Sequence, residues 1–187
     1  MKKNTTAMTR ISVNAMAEIA LMTAVLCILS PISVPIGPVP VSMSLFAVFL
    51  AVYVLGQKRS LAATLLYILI GFVGMPVFSG YAGGIARLFG PTGGYIFGYL
   101  AICWVSGWFI ERFPFSQWYM QIFGMLLGLL LCYTFGTLWF MLVTKMYLSE
   151  ALALCVYPFL AFDTVKLLAA FFVGNTVKRA LSGLSRG

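Results

Sequence analysis

Asp163 and Lys166 stand three residues apart inside an apolar stretch, YPFLAFDTVKLLAAFFVG, over residues 157–174. At the centre of a spanning helix each costs about 2.5–3.5 kcal/mol on insertion scales, so their presence points to a role. On a helix a three-residue step turns about 60° and rises about 4.5 Å, which puts both side chains on one face. Two chemistries fit. One is a neutralising ion pair that fixes helix packing; the other is a polar ligand site inside a bundle, the carboxylate accepting and the ammonium donating. Pro158, five residues upstream, is expected to free a backbone carbonyl near the same face.

A second candidate lies in residues 75–95, MPVFSGYAGGIARLFGPTGGY, which is too apolar for an ordinary solvated loop. Gly80, Gly83, Gly84, Gly90, Gly93 and Gly94 permit close backbone approach, and Phe78, Tyr81 and Phe89 offer surfaces that could close over a cavity. The segment is expected to be a lid over the outer end of the bundle. Its cation, Arg87, suits a ligand carboxylate, or else a lipid headgroup reached by snorkelling. Ser42 and Ser44 open another apolar block, where they either cap a helix or face a ligand. The run from Gly90 to Gly94 has the look of a phosphate loop, but no Lys-Ser/Thr follows it, so nucleotide binding is rejected there.

What is missing narrows the function further. The chain has no histidine and four acidic residues, so the usual proton-shuttling groups of an enzyme are almost absent. No metal cluster can be assembled. Cys27, Cys103, Cys132 and Cys155 lie far apart in apolar blocks, without a CxxC arrangement, and are expected to pack as small apolar residues. Any ATP that drives the protein must be hydrolysed by another subunit. This inventory binds a small molecule better than it converts one, and no cofactor is expected.

The elements that must position these residues are membrane helices. With 62% of its 187 residues hydrophobic and 9% charged, the chain reads as an all-α, polytopic membrane protein forming a single domain over 1–187. Apolar blocks at 15–30, 41–55, 61–75, 93–110, 120–144 and 151–173 predict a bundle of six spans. The second and third are short, but a re-entrant hairpin there would carry Lys58 and Arg59 into the bilayer. A net charge of +8 is here a topology signal and not a nucleic-acid footprint, because the basic residues punctuate block ends. With an inner amino terminus, Lys2, Lys3, Arg10, Lys58, Arg59, Arg112, Lys178, Arg179 and Arg186 are cytoplasmic, against Arg87 and Lys145 outside. Both termini are therefore expected to be cytoplasmic, and the first span is expected to be retained and not cleaved as a signal. Ala20 and Ala24 in that span, one turn apart, allow another helix to approach, as do the Gly94/Gly98 and Gly124/Gly128 pairs; Ala47 and Ala51 repeat the spacing.

Taken together, these motifs resemble the BioY family, the biotin-specific S components of energy-coupling factor (ECF) transporters. The resemblance runs over essentially the whole chain: Ala20 and Ala24, GPVPV at 37–41, GMPVF at 74–78, Gly83-Gly84, GPTGGY at 90–95, Pro158 and the Asp163/Lys166 pair. It implies a cell-membrane subunit with an external biotin pocket and a first helix that docks through Ala20 and Ala24 on a T component, in a module with two ABC-type ATPases. Carried over, Asp163 and Lys166 are polar contacts to biotin, and Arg87, Ser44, Gly84 and Tyr95 complete the candidate set. Family members commonly carry Thr-Leu-Gln where this chain has Ser42-Met43-Ser44, so an amide contact from that helix is missing. The competing classes are a proton-coupled carrier of a small carboxylate-bearing molecule with Asp163 as its relay, an S component for another vitamin, and an assembly subunit.

Overall fold

The computed structural model describes residues 12–35 and 40–184. Lys2, Lys3, Arg10 and Arg186 of the charge argument, and Gly37 of the proline-rich stretch, lie outside them. The apolar blocks become helices and the glycines and prolines become their breaks. In chain order these are α1 (Val13–Leu29), α2 (Ser44–Leu55), α3 (Gln57–Phe72), the one-turn α4 (Ile85–Leu88), α5 (Gly93–Arg112), α6 (Trp118–Thr144), α7 (Leu148–Cys155) and α8 (Tyr157–Leu184). Between α1 and α2 the chain forms a small antiparallel hairpin, β1 (Ser33–Val34) with β2 (Val41–Ser42), in the register Ser33 opposite Ser42. Among the described residues three stretches, Gly93–Arg112, Phe115–Thr144 and Tyr157–Ala180, are long and apolar enough to cross a membrane.

At 1.5 Å per residue, α2 reaches about 18 Å, short of a hydrocarbon core of about 30 Å. Its position explains its composition. Ala47, Val48, Phe49, Ala51 and Val52 are fully buried, and the helix touches α1, α3, α5 and α8. Ala47 and Ala51 thus serve packing inside the bundle, whereas Ala20 and Ala24 face outward from α1. A single residue, Gly56, separates α2 from α3. Its φ of +76° favours glycine, and a side chain there would collide with Glu111, whose Oε1 accepts the Gln57 backbone N–H at 2.7 Å. Glu18, expected near water or a partner, is paired with Arg59, which ties α1 to α3.

Two expectations need correction. The apolar block at 151–173 is not one helix: α7 ends at Cys155, Val156 leaves helical geometry, and α8 starts at Tyr157. Pro158 sits in the first turn of α8, where a missing N–H costs nothing, so it starts the helix instead of freeing a carbonyl within it. Residues 75–92, the segment expected to form a lid, have regular local structure. Phe78 and Ala82 exchange backbone hydrogen bonds of 2.9 and 3.3 Å around a turn at Gly80 and Tyr81, and α4 follows.

Glycines set the α5–α6 packing. A Cβ on Gly98 would lie 2.8 Å from Cys132 Sγ and 3.1 Å from its Cα; one on Gly128 would strike Ser106 and come within 3.3 Å of Ile102 Cα. Because backbone, and not only flexible side chain, stands in the way, Gly98→Val should lower stability by about 1–3 kcal/mol. Thermal unfolding in detergent reads this against Ala161→Val on an exposed face of α8, which should be near neutral.

Candidate functional site

On α8, Asp163 and Lys166 share a face as their spacing requires, with Lys166 Nζ 2.8 Å from Asp163 Oδ1. Asp163 is 2% exposed. Its second oxygen, Oδ2, accepts the hydroxyl of Tyr133 from α6 at 2.7 Å. Both oxygens of the buried acid are therefore occupied, one by a cation and one by a phenol, and the cluster is close to neutral overall. Tyr133 carried no signal in the sequence beyond being an aromatic with a polar tip in an apolar block.

These groups line a cavity of about 50 Å³ with Pro40, Ser42, Tyr95, Tyr99 and Phe159. A neighbouring cavity of about 40 Å³ shares Pro40, Ser42, Tyr95 and Tyr99 and extends to Ser44, Phe78, Ser79, Arg87 and Thr92. The two read as one cleft with unlike ends, divided by the tyrosines of α5. At the far end Arg87 Nη2 donates one long bond, 3.4 Å, to the Ser79 carbonyl. The Ser79 and Thr92 hydroxyls are buried there without a hydrogen-bond partner among the described residues. Since buried polar groups are nearly always paired, two orphaned hydroxyls beside a guanidinium mark a place for a polar, electron-rich ligand group.

The structure thus brings Asp163, Lys166, Tyr95, Ser44 and Arg87 to one cleft. Tyr95 is the shared wall, its hydroxyl 3.3 Å from Thr137 Oγ1. Ser44 is buried and lines the cleft with Ser42; it accepts from the Ser42 hydroxyl at 2.8 Å, and its backbone N–H bonds back to Ser42 Oγ at 3.3 Å, while the N-cap position of α2 is Met43, without a side-chain cap. Gly84 is outside the cleft lining: its φ is +86° and its N–H bonds the Gly71 carbonyl at 2.7 Å, which anchors the start of α4. Of the aromatics in this segment, Phe78 is buried against Tyr67 and lines the cleft, while Tyr81 and Phe89 turn outward. Ala20 and Ala24 belong to the outer face of α1 and not to the cleft. Ser79, Thr92 and Tyr99 join the site without having been singled out, since their placement depends on the turn before α4 and on the face α5 presents.

The arrangement suits a molecule with two polar ends and an apolar middle: one end that both donates and accepts, opposite Asp163 and Lys166, and one anionic end opposite Arg87. Each cavity is smaller than the roughly 300–1,000 Å³ of small-molecule sites, so a ligand of that size needs a wider cleft than the described residues leave. Among the described residues no group of His, Cys, Asp or Glu could hold a metal ion.

The BioY family model matches residues 1–183. The chain is similar to "Biotin transporter BioY2" of Lactococcus lactis subsp. cremoris, 38% identical over 164 residues that cover 88% of this chain and 90% of the relative. It is 35% identical to "Biotin transporter BioY" of Thermotoga maritima, covering 85% and 92% of the two chains. Among solved structures it superposes on the crystal structure of the S-component for biotin from an ECF-type ABC transporter with a TM-score of 0.83, at 25% identity, covering 89% of this chain and 92% of the other.

Proposed function

Because the chain belongs to the BioY family, we propose that it is the biotin-binding S component of an ECF-type uptake transporter. It captures biotin in an outward-facing pocket and releases it inward when coupled to a T component and two ATPase subunits. It is a transport subunit and not an enzyme, and it has no resident cofactor. In this reading α1, α2, α3, α5, α6 and α8 form six spans of a single domain in the cell membrane. Both termini are cytoplasmic, and residues 75–92 form the lid.

The observation that carries the reading is the cleft with unlike ends. Biotin has a ureido head that donates and accepts, an apolar thiophane and chain, and a terminal carboxylate. The near-neutral Asp163–Lys166–Tyr133 cluster matches the ureido group, because Asp163 has lone pairs left for N–H donors and Lys166 has protons left for the carbonyl. Arg87, with the unpaired Ser79 and Thr92 hydroxyls, matches the carboxylate.

Titration of the purified protein with biotin and with its uncharged amide tests function and orientation together. The wild type should prefer biotin. Arg87→Gln should lose about tenfold to a hundredfold in affinity for biotin, the scale of a hydrogen bond to a charged group, and change little for the amide. A loss selective for biotin in Lys166→Met instead would reverse the ligand in the cleft, and no binding of either compound by the wild type would remove the biotin reading.

A further inference from the structure

At the opposite end of the bundle from Arg87, the end of α2, the α5–α6 connection and α8 enclose another cavity, of about 370 Å³. Arg112 and Lys178 supply two cations to its lining. Arg112 makes no hydrogen bond or ion pair with a described residue, and the Lys178 ammonium has only the Tyr53 ring, 5.8 Å from its centroid. Arg179 lies close by, its guanidinium 4.8 Å from the centre of the Phe115 ring that forms part of the wall. Glu111 is the acid of this lining, and its Oε1 is engaged by the Gln57 backbone N–H. Gln121 is committed as well: it accepts the Tyr53 hydroxyl at 2.7 Å and donates to the Phe113 carbonyl at 2.7 Å, which closes the cavity toward the bundle interior. The lining thus carries Arg112 and Lys178 against Glu111, together with the Asn175 amide, which makes no hydrogen bond with a described residue.

A concave site whose lining carries more positive than negative charge is an anion site in electrostatic outline. Its depth indicates the source of the anion. Trp108, Trp118 and Tyr119 are exposed around this end of α5 and α6, and such amphipathic aromatics settle at headgroup level. Phe115 is itself 40% exposed, an apolar rim on which an acyl chain can lie.

We propose that this cavity binds the phosphate of an anionic phospholipid of the inner leaflet. The Arg112 fork and the Lys178 ammonium take the phosphate oxygens, Asn175 donates to the headgroup, and the glyceryl ester region rests on Phe115. The site is independent of biotin recognition, because it shares no lining residue with the cleft.

The test uses the full chain in neutral detergent with phosphatidylglycerol, phosphatidylcholine or inorganic phosphate added. Native mass spectrometry and thermal unfolding serve as readouts. Phosphatidylglycerol should be retained and should raise the unfolding temperature, and phosphatidylcholine should do neither. The double variant Arg112→Gln with Lys178→Gln should bind phosphatidylglycerol about thirtyfold more weakly, with biotin affinity unchanged. If the double variant is unstable, Arg112→Gln alone should still show a clear loss. Equal retention by wild type and variants would overturn the proposal, as would stabilisation by inorganic phosphate as large as that by the lipid.

Discussion

Replacing Asp163 with Asn and Lys166 with Met together should give a folded, monodisperse protein whose biotin affinity is at least about thirtyfold weaker, a loss of about 2 kcal/mol. Folding survives because the double change removes both charges of the buried pair at once, and an Asn side chain still offers an acceptor to the Tyr133 hydroxyl. Lys166→Met alone is a different case. It leaves the Asp163 carboxylate buried with only Tyr133 to hold it, and breaking one side of a buried pair typically costs about 3–5 kcal/mol. Binding in the double variant fails for another reason: the ureido group of biotin would be desolvated without a charged acceptor or an ammonium to meet it. Stability by thermal unfolding and affinity by titration must therefore be scored separately. Near-normal affinity in a well-folded double variant would return the pair to a purely structural role and leave Arg87 with the lid as the site.

The parts of this arrangement that sequence could reach are those set by one helix. The Asp163/Lys166 pair was legible because charge in an apolar run is costly and a three-residue step fixes a shared face. The α5–α6 contact was legible because Gly94, Gly98, Gly124 and Gly128 have the spacing for close approach, and each of them does meet the partner helix. Whatever depends on how separate helices face one another was not legible. Tyr133 reaches Asp163 from a helix thirty positions earlier in the chain, and its role follows from rotation of α6 about its axis, which a helix apolar on all sides does not encode. Ser79 and Thr92 flank the turn and α4 as ordinary small polar residues until the fold buries them beside Arg87. Composition alone also ran α7 and α8 together, because the break at Val156 lies between two equally apolar segments.

The outer face of α1 carries the prediction with the largest effect. Met22, Thr23 and Leu26 are buried, and the Thr23 hydroxyl reaches the Ala63 carbonyl of α3 at 3.3 Å, so this side of α1 is committed to the bundle. Ala20 and Ala24 lie on another side, exposed, with Leu21 and Ile28 nearby. The buried pair Ala47 and Ala51 on α2 has the same spacing and gives the local comparison: where two small residues one turn apart lie inside, neighbouring helices press close. An exposed copy of the same feature on a membrane helix suits an external helix, and in the ECF reading that helix belongs to the T component. Ala24→Trp should therefore abolish co-purification of the T and ATPase subunits and reduce biotin uptake to background, since an indole holds the two backbones apart. The isolated variant should keep its biotin affinity within about twofold, because no residue of α1 lines the cleft. Val165→Trp, an equally bulky change on an exposed position of α8, controls for a general effect of indole in the membrane and should assemble normally. Intact module assembly by Ala20→Trp and Ala24→Trp would place the T component on a different face, whereas loss of assembly in all three variants would mean that bulk anywhere in the membrane disrupts the module, and the α1 assignment would fall.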